Sequence, residues 1–437
     1  MDQARLQKLI GRCLSFIFIC FALLLTDPAY ALVLEKSTEL SPNNISQKQK
    51  IQCSIPIKDY ITRFQNFDHI KYMAQYFPDT FAWDAFMLLN WPSQGKDSST
   101  PNTSECIGNA TPVIWEAWKE SSEVYLDNGK KPQGWGTPRQ VPAEVLAKAQ
   151  DMGLRLDQPF HNIGLIQQVS GLVFKSSEDN QSKPIRYELG MNKSTFNYIF
   201  DQSLYNKNGQ ETAAKNCNPA SKNCIQFNWD AMEIKTSWLW LNGNPRSAEI
   251  ANRYVTANAY YQKTDNSGNP LGYEVGQAAM TGMHITSKAL PDWVWATFEN
   301  VYNAEYTPAT IENPIPDQAQ KANIQYQKLL QGTKYANYEL VGTQINFTDP
   351  ELLANSQIET HFQAKSSCIT CHAIAAVSKQ PTGPFYLSFV DNRDGNLTYY
   401  TGELTPELEA QMQTNFVPLD YVWSLRLAKR DRTATSP

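Results

Sequence analysis

The sequence has no excess of positive charge, no uninterrupted run of the ~20 apolar residues that a membrane-spanning helix needs, and only five histidines. Lys and Arg number 38 against 43 Asp and Glu, a net charge of −5, so nothing basic enough to track a nucleic-acid backbone is present. A Gly-rich phosphate loop, a Gly-x-Ser-x-Gly nucleophile elbow and a His-Glu-x-x-His zinc motif are all missing. No internal repeat of 20–50 residues is visible. Phosphate-loop nucleotide chemistry, the nucleophile-elbow hydrolases, the zincins and solenoid architectures therefore have no foothold in this chain.

What is there begins with an export signal. Arg5, Lys8 and Arg12 precede an apolar run from Cys13 to Leu25, followed by Asp27-Pro28 and the small-x-small site Ala29-Tyr30-Ala31. Residues 1–31 read as a signal peptide cleaved after Ala31; a membrane anchor is the alternative, but the run is short for one. The expected product, Leu32 to Pro437, is longer than a single core usually grows, so two domains are expected. With 42% hydrophobic residues, 12% aromatics and eleven Trp, it has the composition of a folded, exported, periplasmic protein with no membrane span after signal cleavage.

Export decides how the cysteines read. Cys13 and Cys20 leave with the leader, and six remain. In an oxidising compartment Cys53, Cys106, Cys217 and Cys224 are most simply disulfide-bonded. Three connectivities are open to them, and local closure favours Cys53–Cys106 and Cys217–Cys224. The last two cysteines sit in Ser-Ser-Cys-Ile-Thr-Cys-His, residues 366–372. With eight Cys and five His in 437 residues, chance is a poor account of a Cys-x-x-Cys-His, the pattern of covalent c-type haem attachment. Two thiols on one turn can add to the two vinyl groups of a haem, and the next imidazole reaches the iron. Cys368 and Cys371 are then the anchors of one covalent haem c and His372 its proximal ligand. Two other readings compete. A thioredoxin-type pair wants a βαβ context and has no place for the His, and a zinc site wants further ligands where only His361 is near.

Around the motif, Asp349 reads as an N-cap and Pro350 as the first residue of a helix carrying Leu352, Leu353, Ile358 and Phe362 into the haem site. Thr382-Gly383-Pro384 follows, and "PLDYVWSLRLAKR" reads as a closing amphipathic helix with Tyr421, Trp423, Leu425 and Leu427 available to pack. In "TPELEAQMQTN", Thr405 caps a short helix that starts at Pro406 and holds Met412, the only Met after His372. Residues 32–348 change texture midway. "DTFAWDAFMLLNWP", "PVIWEAWKESSEVY", "PAEVLAKAQDM" and "IGLIQQVSGLVF" have helical spacing. "IRYELGM", "IQFNWDAMEIKTSWLWL", "RYVTANAYYQ", "GYEVGQAAMTGMHITSK" and "PDWVWATFEN" alternate as strands between turns. An α+β domain of helices around an antiparallel sheet is the expected architecture.

Polar strand positions mark a second place to look. Alternation puts Glu233, Lys235 and Ser237 on one face, His284, Thr286 and Lys288 on one face, and Trp293, Trp295, Thr297 and Glu299 together. If these strands are neighbours, Glu233, Lys235, His284, Lys288 and Glu299 converge on a polar, aromatic-walled cavity. Solvated outer-face charges or internal ion pairs are the plainer alternative. His284 is a candidate acid–base residue, distal haem ligand or metal ligand, and a satisfied core imidazole is the alternative to all three.

The segment from about 349 to 430 resembles class I c-type cytochromes, on the strength of Cys-x-x-Cys-His, Thr-Gly-Pro and the helices read on either side. The resemblance implies a small all-α haem domain, residues 349–437, in which the carbonyl of Pro384 accepts the proton of the proximal imidazole's other nitrogen and a downstream Met, here Met412, is the sixth ligand. The whole chain is also similar to exported bacterial cytochrome c family proteins through "FAWDAFMLLNWP", "MEIKTSWLWL", "GMHITSKALPDWVWATFEN", "YELVGTQ" and "SSCITCH". The expected function is periplasmic electron transfer by one haem, working with a redox partner protein or a small-molecule donor or acceptor. The large domain binds the substrate if the chain is an oxidoreductase. The alternatives are a haem-based ligand binder or peroxidase with an open sixth site, and a non-catalytic protein that docks a redox partner.

Overall fold

The computed structural model describes residues 55–108, 112–165, 175–176, 183–217, 224–380, 385–387 and 401–433. Its frame is an eight-stranded sheet of β1 (Lys119–Glu120), β2 (Phe160–Asn162), β3 (Arg186–Met191), β4 (Met232–Trp240), β5 (Thr256–Thr264), β6 (Pro270–Ser287), β7 (Val294–Asn300) and β8 (Tyr338–Gln344). One path runs β1-β3-β4-β6-β5-β2, and β7 joins β6 to β8. All pairs are antiparallel except β2 with β5. The sheet nearly closes on itself, because Gly164, just past β2, exchanges backbone hydrogen bonds of 2.9 and 2.8 Å with Tyr187 of β3.

The 18-residue β6 organises this frame. One of its edges carries β4; the other carries β5 along Pro270–Ala279 and then β7 along Gly282–Ser287. A register shift opposite Ser237 and Trp238 bends the strand between its two partners, as bulges do. Gly282 lies at that bend, where an added Cβ would stand 2.8 Å from Asn355 Nδ2 and 3.0 Å from Ser237 Oγ. Gly282→Ala is expected to cost about 1–3 kcal/mol, read as a lower denaturant midpoint at unchanged slope.

The helices pack where their apolar faces demand. α1 (Pro78–Leu89) is buried almost all round, with Trp83 stacked on Tyr326 at 5.2 Å and edge-on to Phe298 of β7 at 4.9 Å. α2 (Ala143–Asp151) presents Val145 and Ala149 to Tyr260 and Val275. A strand forms in each expected stretch, although in "IQFNWDAMEIKTSWLWL" it begins only at Met232. Of the expected helices, "PVIWEAWKESSEVY" breaks up into a 3-10 turn Ile114–Ala117, the strand β1 and one turn Ser121–Val124, because its Trp and Glu side chains are consumed by burial and capping against the sheet. "IGLIQQVSGLVF" lies largely outside the described residues.

The C-terminal part departs further from expectation. No helix runs from Asp349 to Phe362: the stretch is a series of turns. Asn355, Ser356 and Gln357 turn their side chains to Thr297, Glu299 and Thr307 of the large sheet and its flank, and such side-chain bonds compete with helix. The closing amphipathic helix is also replaced, by β10 (Phe416–Pro418), a left-handed Asp420-Tyr421 turn and a 3-10 segment Trp423–Leu427. β10 pairs with β9 (Ala376–Ser378). The short helix bearing Met412, α4 (Pro406–Asn415), forms as read, with Thr405 as its N-cap. Ile369, Ala375, Val377, Val417, Leu419 and Leu425 share one apolar cluster with Trp293 and Trp295 of the large sheet, and residues Pro56–Pro437 make up one compact unit. The described residues are thus a mixed α+β fold with a nearly closed sheet, and the Cys-x-x-Cys-His segment shares its core.

Cys217 and Cys224 form a disulfide, as expected. Cys106 is disulfide-bonded as well; its expected partner Cys53 lies outside the described residues.

Candidate functional site

Cys368, Cys371 and His372 lie on α3 (Cys368–Ala373), one helical turn that precedes α4 in the chain. Ser367 caps it, and Gln344 at the end of β8 accepts the Ile369 N–H at 3.0 Å and donates to the Pro350 carbonyl at 2.6 Å. The turn is therefore tied to the sheet through a fully buried amide. Trp423 Nε1 donates to the Cys371 carbonyl at 2.8 Å, and the Trp295 ring lies 4.3 Å from the His372 ring.

His372 Nδ1 lies 2.7 Å from the Tyr421 carbonyl oxygen. That contact assigns the ring proton to Nδ1 and leaves Nε2 as the free donor, the arrangement that fixes a metal-binding imidazole. Burial, helped by Lys235 and His284, pulls the His372 pKa down to about 4, against the Tyr421 bond; the ring is neutral at physiological pH. The acceptor implied by the cytochrome resemblance, Pro384, lies outside the described residues. The two thiols carry no disulfide. Burial pushes Cys371 up to about 12 and Cys368 upward too. A thioredoxin-type pair needs the opposite, a lowered thiol pKa. Two unoxidised thiols and a neutral imidazole with one free nitrogen, on one turn, fit the attachment set of a c-type haem.

The face opposite this turn is the one read from strand alternation. Lys235 pairs with His284, and His284 with Thr297, so Lys235 and His284 stand side by side. Glu233 and Trp295 flank them one row away, and Glu299 stands on the same face beyond Thr297. Only part of the set reaches the Cys-x-x-Cys-His turn. Lys235, lowered to about 8 by burial, and His284 both act on His372. Glu233 is held by Ser424 Oγ at 2.7 Å, and burial lifts it to about 7. Glu299, also lifted to about 7 by burial, is held by Ser356 and Asn303. Lys288 lies beyond the end of β6 and pairs with Asp420 at 2.5 Å, next to the residue that orients His372.

Sequence reasoning missed Glu359. It sits 3.5 Å from His284 Nε2, and although burial alone would raise its pKa, His284 and Lys235 bring it below the ordinary value. His284 Nε2 is buried and makes no hydrogen bond. Lys235, His284, Cys368, Cys371 and His372 each keep part of their surface accessible. Met412 points elsewhere, into an apolar cluster with Ile374, Ala376, Leu387, Leu408 and Phe416.

No family model matches the chain, and no curated protein and no solved structure is similar to it.

Proposed function

We propose that this chain is an exported protein carrying one covalent haem c, bound by Cys368 and Cys371 and ligated by His372, and that it passes single electrons between a donor and an acceptor. The observation that carries the reading is the His372 ring, held at Nδ1 by the Tyr421 carbonyl and left free at Nε2 beside two unoxidised cysteines, in a chain whose other described cysteines are disulfide-bonded. The haem supplies a one-electron couple. Cys368, Cys371 and His372 would hold it, Trp295 and Trp423 fix the turn that carries them, and the charges of Lys235 and Glu359 near His372 would tune its potential. In this reading the C-terminal segment is a haem module grown into the large sheet and sharing its core.

A second reading concerns the second iron ligand. The position of His284 beside Lys235, on the sheet face that acts on His372, with Met412 turned into an apolar cluster, favours His284 over Met412. It makes the site either a bis-histidine electron carrier or, where His284 stays off the iron, a ligand-binding pocket with a histidine, a lysine and a carboxylate.

The test is export of the full chain in cells with haem-attachment machinery, followed by denaturing mass analysis. The expected product has the mass of the cleaved polypeptide plus one haem, and Cys368→Ala/Cys371→Ala has none. A mature protein that carries no covalent haem under these conditions, while a control cytochrome does, overturns the reading.

A further inference from the structure

A second cluster of chemical groups lies within the nearly closed part of the sheet, away from the Cys-x-x-Cys-His turn. Its centre is His161 of β2, fully buried between the rings of Trp115 and Trp238 at 5.3 and 5.4 Å. His161 Nδ1 lies 2.9 Å from Glu188 Oε2 of β3, and Nε2 lies 3.2 Å from Glu116 Oε1. Glu120, at the end of β1, completes the group. Donor atoms of Glu120, His161 and Glu188 all lie within 4.8 Å of one another, and all three residues are buried.

We propose that Glu120, His161 and Glu188 bind a first-row divalent cation such as zinc. Three features of the geometry carry this. The donors are one imidazole and two carboxylates on three different strands, a set that suits zinc and its neighbours better than calcium or magnesium. The imidazole is clamped by its aromatic walls, and its nitrogen remote from Glu188 is held by a further carboxylate, Glu116, as metal-bound histidines are held by an outer partner. The charge count also calls for a cation. Four carboxylates, Glu116, Glu120, Glu123 and Glu188, are gathered around two permanent cations, Lys119 and Arg139, which pair with Glu123 and Glu120 at 2.9 and 2.7 Å. Counted formally, the carboxylates outnumber these two cations by two, the charge of one divalent ion.

A cleft lies beside the cluster. Its volume is about 270 Å³, and its lining includes Glu116, Trp118, Lys119, Glu123, Arg139 and Phe160, the charged groups that surround the three buried donors among them. Three protein donors leave a coordination position for water or for a small ligand, the composition of a catalytic rather than a closed structural metal site.

The site is independent of the haem reading, and the test keeps them apart. Full-length Cys368→Ser/Cys371→Ser protein, which has no thiolates at the haem motif, is stripped with chelator and titrated with Zn²⁺ and with Co²⁺. The expected result is one ion per chain, a rise in melting temperature, and a Co²⁺ spectrum of nitrogen and oxygen ligands without a thiolate charge-transfer band. Glu188→Gln and His161→Gln are expected to lose the ion. Glu116→Gln, which leaves all three donors in place, is expected to weaken binding about 10–100-fold while the near-ultraviolet circular dichroism of the fold is retained. Absence of stoichiometric binding by the parent protein overturns the proposal, and so does an affinity unchanged in Glu116→Gln and Glu188→Gln.

Discussion

Glu188→Ala is expected to cost about 3–5 kcal/mol of folding stability in metal-free protein, the range for removing one partner of a buried pair. The carboxylate is 4% exposed and the imidazole it faces is 0% exposed. Removing it leaves His161⁺ hydrogen-bonded to Glu116 only, at Nε2, and takes away the carboxylate that faces Nδ1 between Trp115 and Trp238. The pH dependence follows from the two shifts. His161 has its pKa raised to about 10, above the ordinary ~6.5, so the stability it gains from its partners is fully present below about pH 6.5 and is lost as pH rises towards 10. Glu188 has its own pKa lowered: burial opposes ionisation, but His161 and Arg139 overcome it. Its share is present above the ordinary carboxylate range, ~4.3, and is lost as pH falls below that. The deficit of the Ala variant is therefore largest between about pH 5 and 6.5 and shrinks on either side. Denaturant titrations of the parent and variant across pH 4–9 measure this directly. A deficit that does not vary with pH would mean that the pair is not ionised in the folded protein.

The two chemical regions of the molecule differ in how far the sequence discloses them, and the reason is physical. Cys368, Cys371 and His372 are legible because the chemistry demands them at fixed spacing on one turn. The face carrying Glu233, Lys235, His284, Trp295 and Glu299 is legible in outline because alternation along a strand is geometry, and β4, β6 and β7 prove to be neighbours in register. What alternation could not supply is which of those groups reach the motif. Glu233, Lys288 and Glu299 are held by Ser424, Asp420 and Ser356, residues distant in the chain. The Glu120-His161-Glu188 cluster was invisible for the same reason, since its members come from three strands and meet only because Gly164 bridges back to Tyr187 and closes the sheet. The misread helix at 349–362 shows the converse. Its apolar spacing was real, and Leu353, Ile358 and Phe362 are all buried, but the intervening Asn355 and Ser356 gain more from Thr297 and Glu299 than from a helical ladder.

In haem-loaded protein, Met412→Ala is expected to leave the optical spectrum unchanged, whereas His284→Ala is expected to turn a low-spin spectrum into a high-spin one that shifts with carbon monoxide. Met412 is 5% exposed and fills an apolar cluster beneath α4, so its truncation costs packing, about 2–5 kcal/mol, and touches no donor. His284 is the reverse case. Its Nε2 is buried with only a long contact, 3.5 Å, to the Glu359 carboxylate. That nitrogen would be available to hold the haem iron, and an apolar substitution would remove the donor and leave Glu359 without its imidazole partner. The comparison separates three sites that electron-transfer activity alone would confuse. Loss of a low-spin spectrum only in His284→Ala marks a bis-histidine carrier. Loss only in Met412→Ala restores the ligand that the cytochrome resemblance implied and requires α4 to unfold towards the haem. A parent protein that is high-spin before any substitution places His284 beside the iron rather than on it, and the Lys235, His284 and Glu359 cluster then becomes the acid–base wall of a ligand pocket. His284→Ala would in that case leave the spin state alone and slow ligand or peroxide chemistry.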